Sequence, residues 1–274
     1  MLLSCNTSST TTKTTYVNPH AEPHIEMHRE IQRQEAEKKL KETYSNDFLF
    51  EKWERGIDFY ATGNEPFWSL EMDLEKQSSF KTMNNTYNAP AVSPVNIVDT
   101  NITRYRSITE SGEVIIQLNK KKCADTMSDQ VFNYQVTVDY KTSNSEDYQT
   151  YNGCGNYIPN PLLHNIWVIT KVNNTVINLS DFKTKPPYLE LNITKESIYG
   201  TDGCNSFRGK IEIEGNQITF SQLASSMMAC ANNVEISAQI TKVISNQKVT
   251  YTHANNLLTF FKGNKEVMVL KPVD

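Results

Sequence analysis

The sequence predicts a mainly β fold, α+β in detail: two small antiparallel β-rich domains, the second with one packed helix, preceded by a flexible tail and a charged helix. Three observations predict it. Apolar residues recur at period two in short runs from about residue 47 onward, turn-forming residues punctuate those runs, and one stretch near the C-terminus switches to helical spacing. With 274 residues the chain is long enough for two domains, each with its own core.

Residues 1–18 open on Leu2-Leu3-Ser4-Cys5 and continue as a polar run from Asn6 to Thr15, a composition suited to a flexible tether. Residues 19–46 are highly charged. Pro23 fits a first helical turn, and Glu35 with Lys39 and Glu37 with Lys41 make favourable i,i+4 pairs. The apolar stripe of Met27, Ile31, Ala36, Leu40 and Tyr44 is thin, so this stretch is expected as a solvated helical stalk.

In residues 47–156, Trp68, Leu70, Met72 and Leu74 share one face at period two, as do Phe132, Tyr134, Val136, Val138 and Tyr140. Glu113 to Leu118 is a further strand, Lys81 to Pro94 is expected as loop, and the prolines of Asn156 to Pro161 suggest a linker. In residues 162–274 strands are expected at Ile166 to Lys171, Tyr188 to Ile193, Lys210 to Ile213 and Gln217 to Phe220, then Leu257 to Phe261 and Glu266 to Leu270. Turns fall at Glu214-Gly215-Asn216 and Gly263-Asn264. Val234 to Ser245 carries Ile236, Ile240, Val243 and Ile244 on one face, the spacing of a helix packed on a sheet.

Composition narrows the function classes. A net charge of -4 gives no basic footprint for nucleic acid, and no run of 18 apolar residues marks a transmembrane helix. The sequence carries no nucleophile elbow, phosphate-binding loop or dinucleotide fingerprint, and with 10 Gly in all there is little from which to build a glycine-rich cradle. An enzyme is therefore the weaker class, no catalytic residue is assigned and no cofactor is expected.

Of five cysteines, Cys123 with Cys154 and Cys204 with Cys230 divide into one pair per half. Three pairings are open to four cysteines, and one bond within each domain is the simplest in an oxidising compartment. Either bridge closes a loop of roughly 25 to 32 residues, for which chain entropy predicts about 3 to 4 kcal/mol. Four buried thiols are the alternative.

Several ordered features of the second domain carry a resemblance. They are Trp167, Pro187 and Leu189, Gly200, Gly203-Cys204-Asn205 with Phe207 and Gly209, the run Leu223-Ala224-Ser225-Ser226-Met227-Met228-Ala229-Cys230, Glu235 and Leu257. Over about residues 162–273 this resembles the META/HslJ domain of bacterial envelope proteins. Ser226-Met227 stands where that family is expected to have Thr-Arg. Physically the same residues read as scaffold: Gly203 and Gly209 allow tight backbone geometry, Asn205 bonds neighbouring backbone, and Cys204 with Cys230 would clip that turn to the segment entering the helix.

The first domain, over about residues 50–155, resembles a set of bacterial envelope lipoproteins through Gly63-Asn64-Glu65-Pro66-Phe67-Trp68, Cys123-Ala124-Asp125-Thr126-Met127-Ser128-Asp129 and Gly153-Cys154. Thr126 and Gln130 replace an expected Gly and Arg. Glu65, Asp125 and Asp129 have the chemistry for acid–base work or cation binding, but Asp125 and Asp129 read first as turn-forming and capping side chains.

Leu2-Leu3-Ser4-Cys5 resembles a bacterial lipobox. Four residues before the cysteine are too few for an export signal, so its remainder is expected upstream or trimmed away. Together the resemblances imply a cell-envelope lipoprotein, anchored to a membrane by an acylated Cys5 on the extracytoplasmic side, at the outer membrane or cell surface. The implied role is a noncatalytic binding or envelope-stress module with an envelope protein as partner. The alternatives are an inhibitor of, or partner to, an extracytoplasmic hydrolase, and a metal-binding envelope protein. For metal the weak candidates are His24 and His28, which share a helix face; they read first as exposed histidines on the stalk, with His20 outside it.

Overall fold

A computed structural model describes residues 48–97, 100–125, 127, 130–182, 185–228 and 234–273. Cys5, the tether and the stalk with His24 and His28 lie outside the described residues. All that is described falls within one compact unit, Leu40–Asp274, and it is mainly β as predicted.

The first half opens with a short helix, α1 (Phe48–Glu54), followed by β1 (Phe59–Asn64), β2 (Phe67–Asp73), β3 (Gln77–Thr82), β4 (Thr86–Pro90) and β5 (Val95–Asn96). Then come β6 (Ile102–Thr109), β7 (Gly112–Asn119), β8 (Cys123–Ala124), β9 (Val131–Phe132), β10 (Tyr134–Thr142) and β11 (Gln149–Tyr157). Nine of these strands form an open antiparallel half-barrel in the order β4-β3-β2-β1-β11-β10-β7-β6-β5, and β8 pairs β9 beside it. The period-two face of β2 is the buried one: Trp68, Leu70 and Met72 are inside, with Leu74 packed at the rim. Tyr134, Val136, Val138 and Tyr140 of β10 face them across the same core.

Two local expectations are corrected here. Lys81 to Pro94 is not all loop: β4 lies within it, because Tyr87 and Ala89 alternate inward and pair opposite Phe80 and Ser78. Phe132 is buried but not in line with Tyr134. The chain bends at Asn133, and Phe132 joins a small satellite core with Tyr60, Cys154 and Ile158. The helix α1 was hidden in a stretch that reads as alternating runs.

The second half contains β12 (Asn165–Val172), β13 (Thr175–Val176), β14 (Tyr188–Asn192), β15 (Ser197–Thr201), β16 (Ser206–Glu214), β17 (Gln217–Phe220) and β18 (Ala224–Ser225). After α2 (Val234–Ile244) follow β19 (Lys248–Ala254), β20 (Leu257–Lys262) and β21 (Lys265–Pro272). Eight strands run β12-β14-β15-β16-β17-β19-β20-β21, and β21 pairs back onto β12, so the sheet closes into a barrel. A bulge between Ile169 and Lys171 shifts the register, which lets Trp167, Ile169 and Val172 all point inward despite their spacing. Ile240, Val243 and Ile244 of α2 are buried against this core, with Ile236 at its edge. Gly215 and Gly263 hold positive φ at the two turns read from sequence.

Candidate functional site

The motifs of the half-barrel meet at one end of its sheet. The β1–β2 turn contains a cis Glu65–Pro66 bond, and Asn64 at its start donates to the Asp125 carboxylate at 2.7 Å. The same Oδ1 of Asp125 accepts the Met127 amide at 2.7 Å. Cys123, two residues earlier, is bonded to Cys154. Trp68 turns inward and donates its indole N–H to the Asn152 carbonyl at 3.1 Å. Gly63 and Gly153 leave room for that indole: a Cβ on Gly63 would stand 2.0 Å from Trp68 Nε1, and one on Gly153 would stand 2.0 Å from the Thr62 carbonyl.

This cluster is tied together by its own polar groups. Glu65, Pro66, Phe67 and Met127 are what it turns to solvent, Phe67 and Met127 being 52% and 69% exposed. Asp129 lies outside the described residues. Asn64 stands within the motif read from sequence but was given no role there, and Asn152 was missed altogether; their amide and carbonyl make contacts that fix this end of the sheet.

In the barrel, Asp202 is buried and organises the turn after β15. Its carboxylate accepts the amides of Cys204 at 2.9 Å and Asn205 at 2.7 Å and the hydroxyl of Ser237 on α2. Gly203 takes φ 94° with Phe182 packed where a side chain would be. Asn205 then holds the Ser-Ser-Met-Met segment, its Oδ1 accepting Ser226 Oγ at 3.0 Å and the Met228 amide at 2.7 Å. Met227 and Met228 project outward, 99% and 61% exposed. Cys204 is disulfide-bonded, while Cys230 lies outside the described residues. Trp167 is fully buried, donates to the Leu163 carbonyl at 3.1 Å and meets His253 edge-on. Asp202 was not singled out from sequence, although an Asp directly before Gly-Cys-Asn is a turn signal.

Between the half-barrel and the barrel lies a third cluster. Glu214, at the tip of the β16–β17 hairpin, accepts the Tyr134 hydroxyl and the Lys120 ammonium, the latter at 2.7 Å. Lys120 also reaches Glu212 at 2.8 Å. Burial would raise the Glu214 carboxyl, but Lys120 and Tyr134 outweigh it and hold the group below the usual carboxylate range. Burial, reinforced by Glu214, drives the Tyr134 phenol far above its ordinary value, and burial does the same to Tyr157. A cleft of about 290 Å³ opens beside this cluster.

Residues 160–274 match the model of the META domain. The closed barrel is a META domain. A solved structure titled "NMR structure of the protein" is 24% identical, over 40% of this chain and 90% of its own, with a TM-score of 0.34. No curated protein matches the chain. The META domain thus begins at the 3-10 turn Pro161–Leu163, which Asn160 caps from its side chain. Of the motif residues that led to the resemblance, Asn205 ties the META domain's turn to its outer loop, while Asp202 beside them ties that turn to α2. Among the described residues, no three His, Cys, Asp or Glu side chains are grouped to hold a metal ion, and no helix is long and apolar enough to cross a membrane.

Proposed function

We propose that this protein is a bacterial cell-envelope lipoprotein that works as a noncatalytic binding or envelope-stress module, tethered through an acylated Cys5 with both β-rich halves outside the cytoplasm. The observation that carries the reading is the Cys123–Cys154 disulfide, set directly beneath the motif loop. Disulfides persist in oxidising compartments and are rare where thiols are kept reduced. Asp125, Asp202 and Asn205 are engaged within the fold, which supports scaffolding over acid–base work, and the side chains turned outward are mostly apolar, with Glu65 the exception.

Radiolabelled palmitate fed to cells making the natural full-length protein, with membrane fractionation and non-reducing peptide mapping, tests it. Label on Cys5 in the membrane fraction, lost in Cys5→Ser, is the expected result. An unlabelled protein in the soluble cytoplasm with Cys123 and Cys154 as thiols would overturn the reading.

A second reading, partner to or inhibitor of an extracytoplasmic hydrolase, is favoured by the exposed Phe67 at the start of β2 and Met127 on the β8–β9 loop, two segments joined by the Asn64–Asp125 bond beside the disulfide. Rigid apolar side chains on a fixed loop suit insertion into a cleft. Site-specific photocrosslinking from position 67 in intact cells would give one discrete adduct on this reading and none without it.

A further inference from the structure

Two hollows at the joint between the half-barrel and the META domain share Asn133, Glu196, Ile211 and Glu212 in their walls, so they form one trough. The inner hollow, about 290 Å³, has more apolar than polar wall: Phe50 of α1, Pro159, Pro161 and Ile193 line it with the rings of Tyr134 and Tyr157, and Asn156, Thr194 and the carboxylates of Glu196, Glu212 and Glu214 make up its polar side. The hydroxyls of those tyrosines are already engaged, Tyr134 with Glu214 and Tyr157 with Tyr105.

The outer hollow, about 380 Å³, has four lysines in its wall, Lys120, Lys121, Lys122 and Lys210, together with the hydroxyl residues Thr219 and Ser221. Lys120 is committed to Glu212 and Glu214. Lys122 donates to the Asn133 amide oxygen, and Lys121 and Lys210 make no ion pair among the described residues. The outer hollow thus sets four lysines against the carboxylates of Glu196 and Glu212, so an excess of positive charge lies at that end of the trough. An apolar hollow that opens onto a cationic rim has the charge and polarity pattern of a site for an amphipathic anion.

We propose that this trough binds a small single-chain amphiphile with an anionic head. Its hydrocarbon part lies among Phe50, Tyr157, Pro159, Pro161 and Ile193, and its head sits on Lys121, Lys122 and Lys210. At about 290 Å³ the inner hollow is at the small end of ligand pockets, which admits one short chain and not a two-chain lipid. The inference deepens the binding-module reading and rests on it in taking the site as noncatalytic.

Titration calorimetry of the purified full-length chain with dodecanoate, kept below its micelle concentration, tests the idea. One saturable site is expected. Acetate, which lacks the tail, and dodecyltrimethylammonium, which reverses the head charge, should each bind at least tenfold more weakly. The triple charge reversal Lys121→Glu, Lys122→Glu and Lys210→Glu, on exposed side chains and with an unchanged circular dichroism spectrum, should weaken dodecanoate at least tenfold. Thr194→Trp, at an exposed lining position, should block the tail. Unsaturable binding, equal affinity for the cationic amphiphile, or indifference to charge reversal would overturn the proposal. Palmitate on Cys5 with no dodecanoate site would remove the ligand and leave the envelope reading standing; a saturable site in a protein with unmodified Cys5 would do the reverse.

Discussion

The META domain closes its sheet by pairing β21 with β12, whereas the nine-stranded sheet stops at β4 and β5, and among the described residues neither edge has a further strand partner. In the closed barrel the backbone ladder itself completes the structure, and its core is one continuous cluster from Leu163 to Leu270. The open half-barrel depends on side chains for the same end. Tyr87 of β4 reaches across to the carbonyls of Ser107 and Gly112, and Lys52 of α1 and Arg55 just after it clamp Glu71 of β2. The disulfide and the Asn64–Asp125 bond lock one end, and the β16–β17 hairpin of the META domain seats Glu214 at its rim. The difference teaches where the motif residues act: in the half-barrel they lock one end of an open sheet, and in the META domain they hold a turn and an outer loop on a barrel already closed.

The largest test removes the covalent staple from the open half alone. Cys123→Ser with Cys154→Ser frees a loop with a sequence separation of 31, and chain entropy puts the loss at about 3 to 4 kcal/mol. Differential scanning calorimetry should show the half-barrel melting earlier while the META transition stays in place. A single transition that moves as a whole would mean the two sheets unfold as one and would break the comparison.

Next in size is the room made for Trp68. Gly153→Ala forces a Cβ to 2.0 Å from the Thr62 carbonyl and 2.7 Å from the indole, and backbone on an adjacent strand cannot step aside. A loss of about 3 kcal/mol is expected from chemical denaturation, in the range of severe overpacking. Gly263→Ala, in a META turn with φ 58° and nothing within 4 Å, should lose about 1 kcal/mol, from backbone conformation alone.

The joint between the halves gives a smaller and pH-dependent effect. Because the Glu214 carboxyl is held below its ordinary range by Lys120 and Tyr134 despite burial, its stabilisation is present above the unfolded carboxylate value and fades as pH falls through the lower folded one. The window therefore opens below about pH 4.3, the ordinary Glu value. Glu214→Gln should lose about 1 to 2 kcal/mol at pH 7 and flatten the acid limb of a stability-against-pH curve. Tyr134 carries the opposite sign: its phenol is raised by burial and by Glu214, so that contribution is intact below about pH 10, the ordinary Tyr value, and is lost as pH climbs through the folded one. Phenolate absorbance should reveal this group only as the fold opens.

Much of this architecture is legible in the sequence because the period-two faces are clean. Trp68, Leu70 and Met72, or Val136 and Val138, alternate without interruption, and each face proved to be a core. What was not legible has physical causes. β15 contributes Ile198 and Gly200 inward, and a glycine facing the core leaves no apolar mark. β12 keeps its inward face only through a bulge, which no fixed period anticipates. Barrel closure depends on β21 meeting β12 about a hundred residues away, a long-range pairing that local pattern does not encode. At the sites, Cys123, Cys154, Gly63, Trp68 and Asn205 stand out by type and order, but Asn64, Asn152, Lys120 and Glu214 act through distant partners.

The smallest effect sharpens the comparison from the META side. Asn205→Ala removes the acceptor that Ser226 and the Met228 amide share, on an exposed loop where water can take over part of the bonding, so the loss should be about 1 kcal/mol. Because the barrel beneath is closed by its own ladder, that loss should stay local. Hydrogen exchange at the Met228 amide should quicken while the amides of β12 and β21 keep their protection. Asn205→Asp, which keeps the accepting oxygen, should restore the slow exchange. If the exchange of β12 and β21 rose together with that of Met228, the loop would be holding the barrel shut, and the META domain would depend on side-chain staples as the half-barrel does.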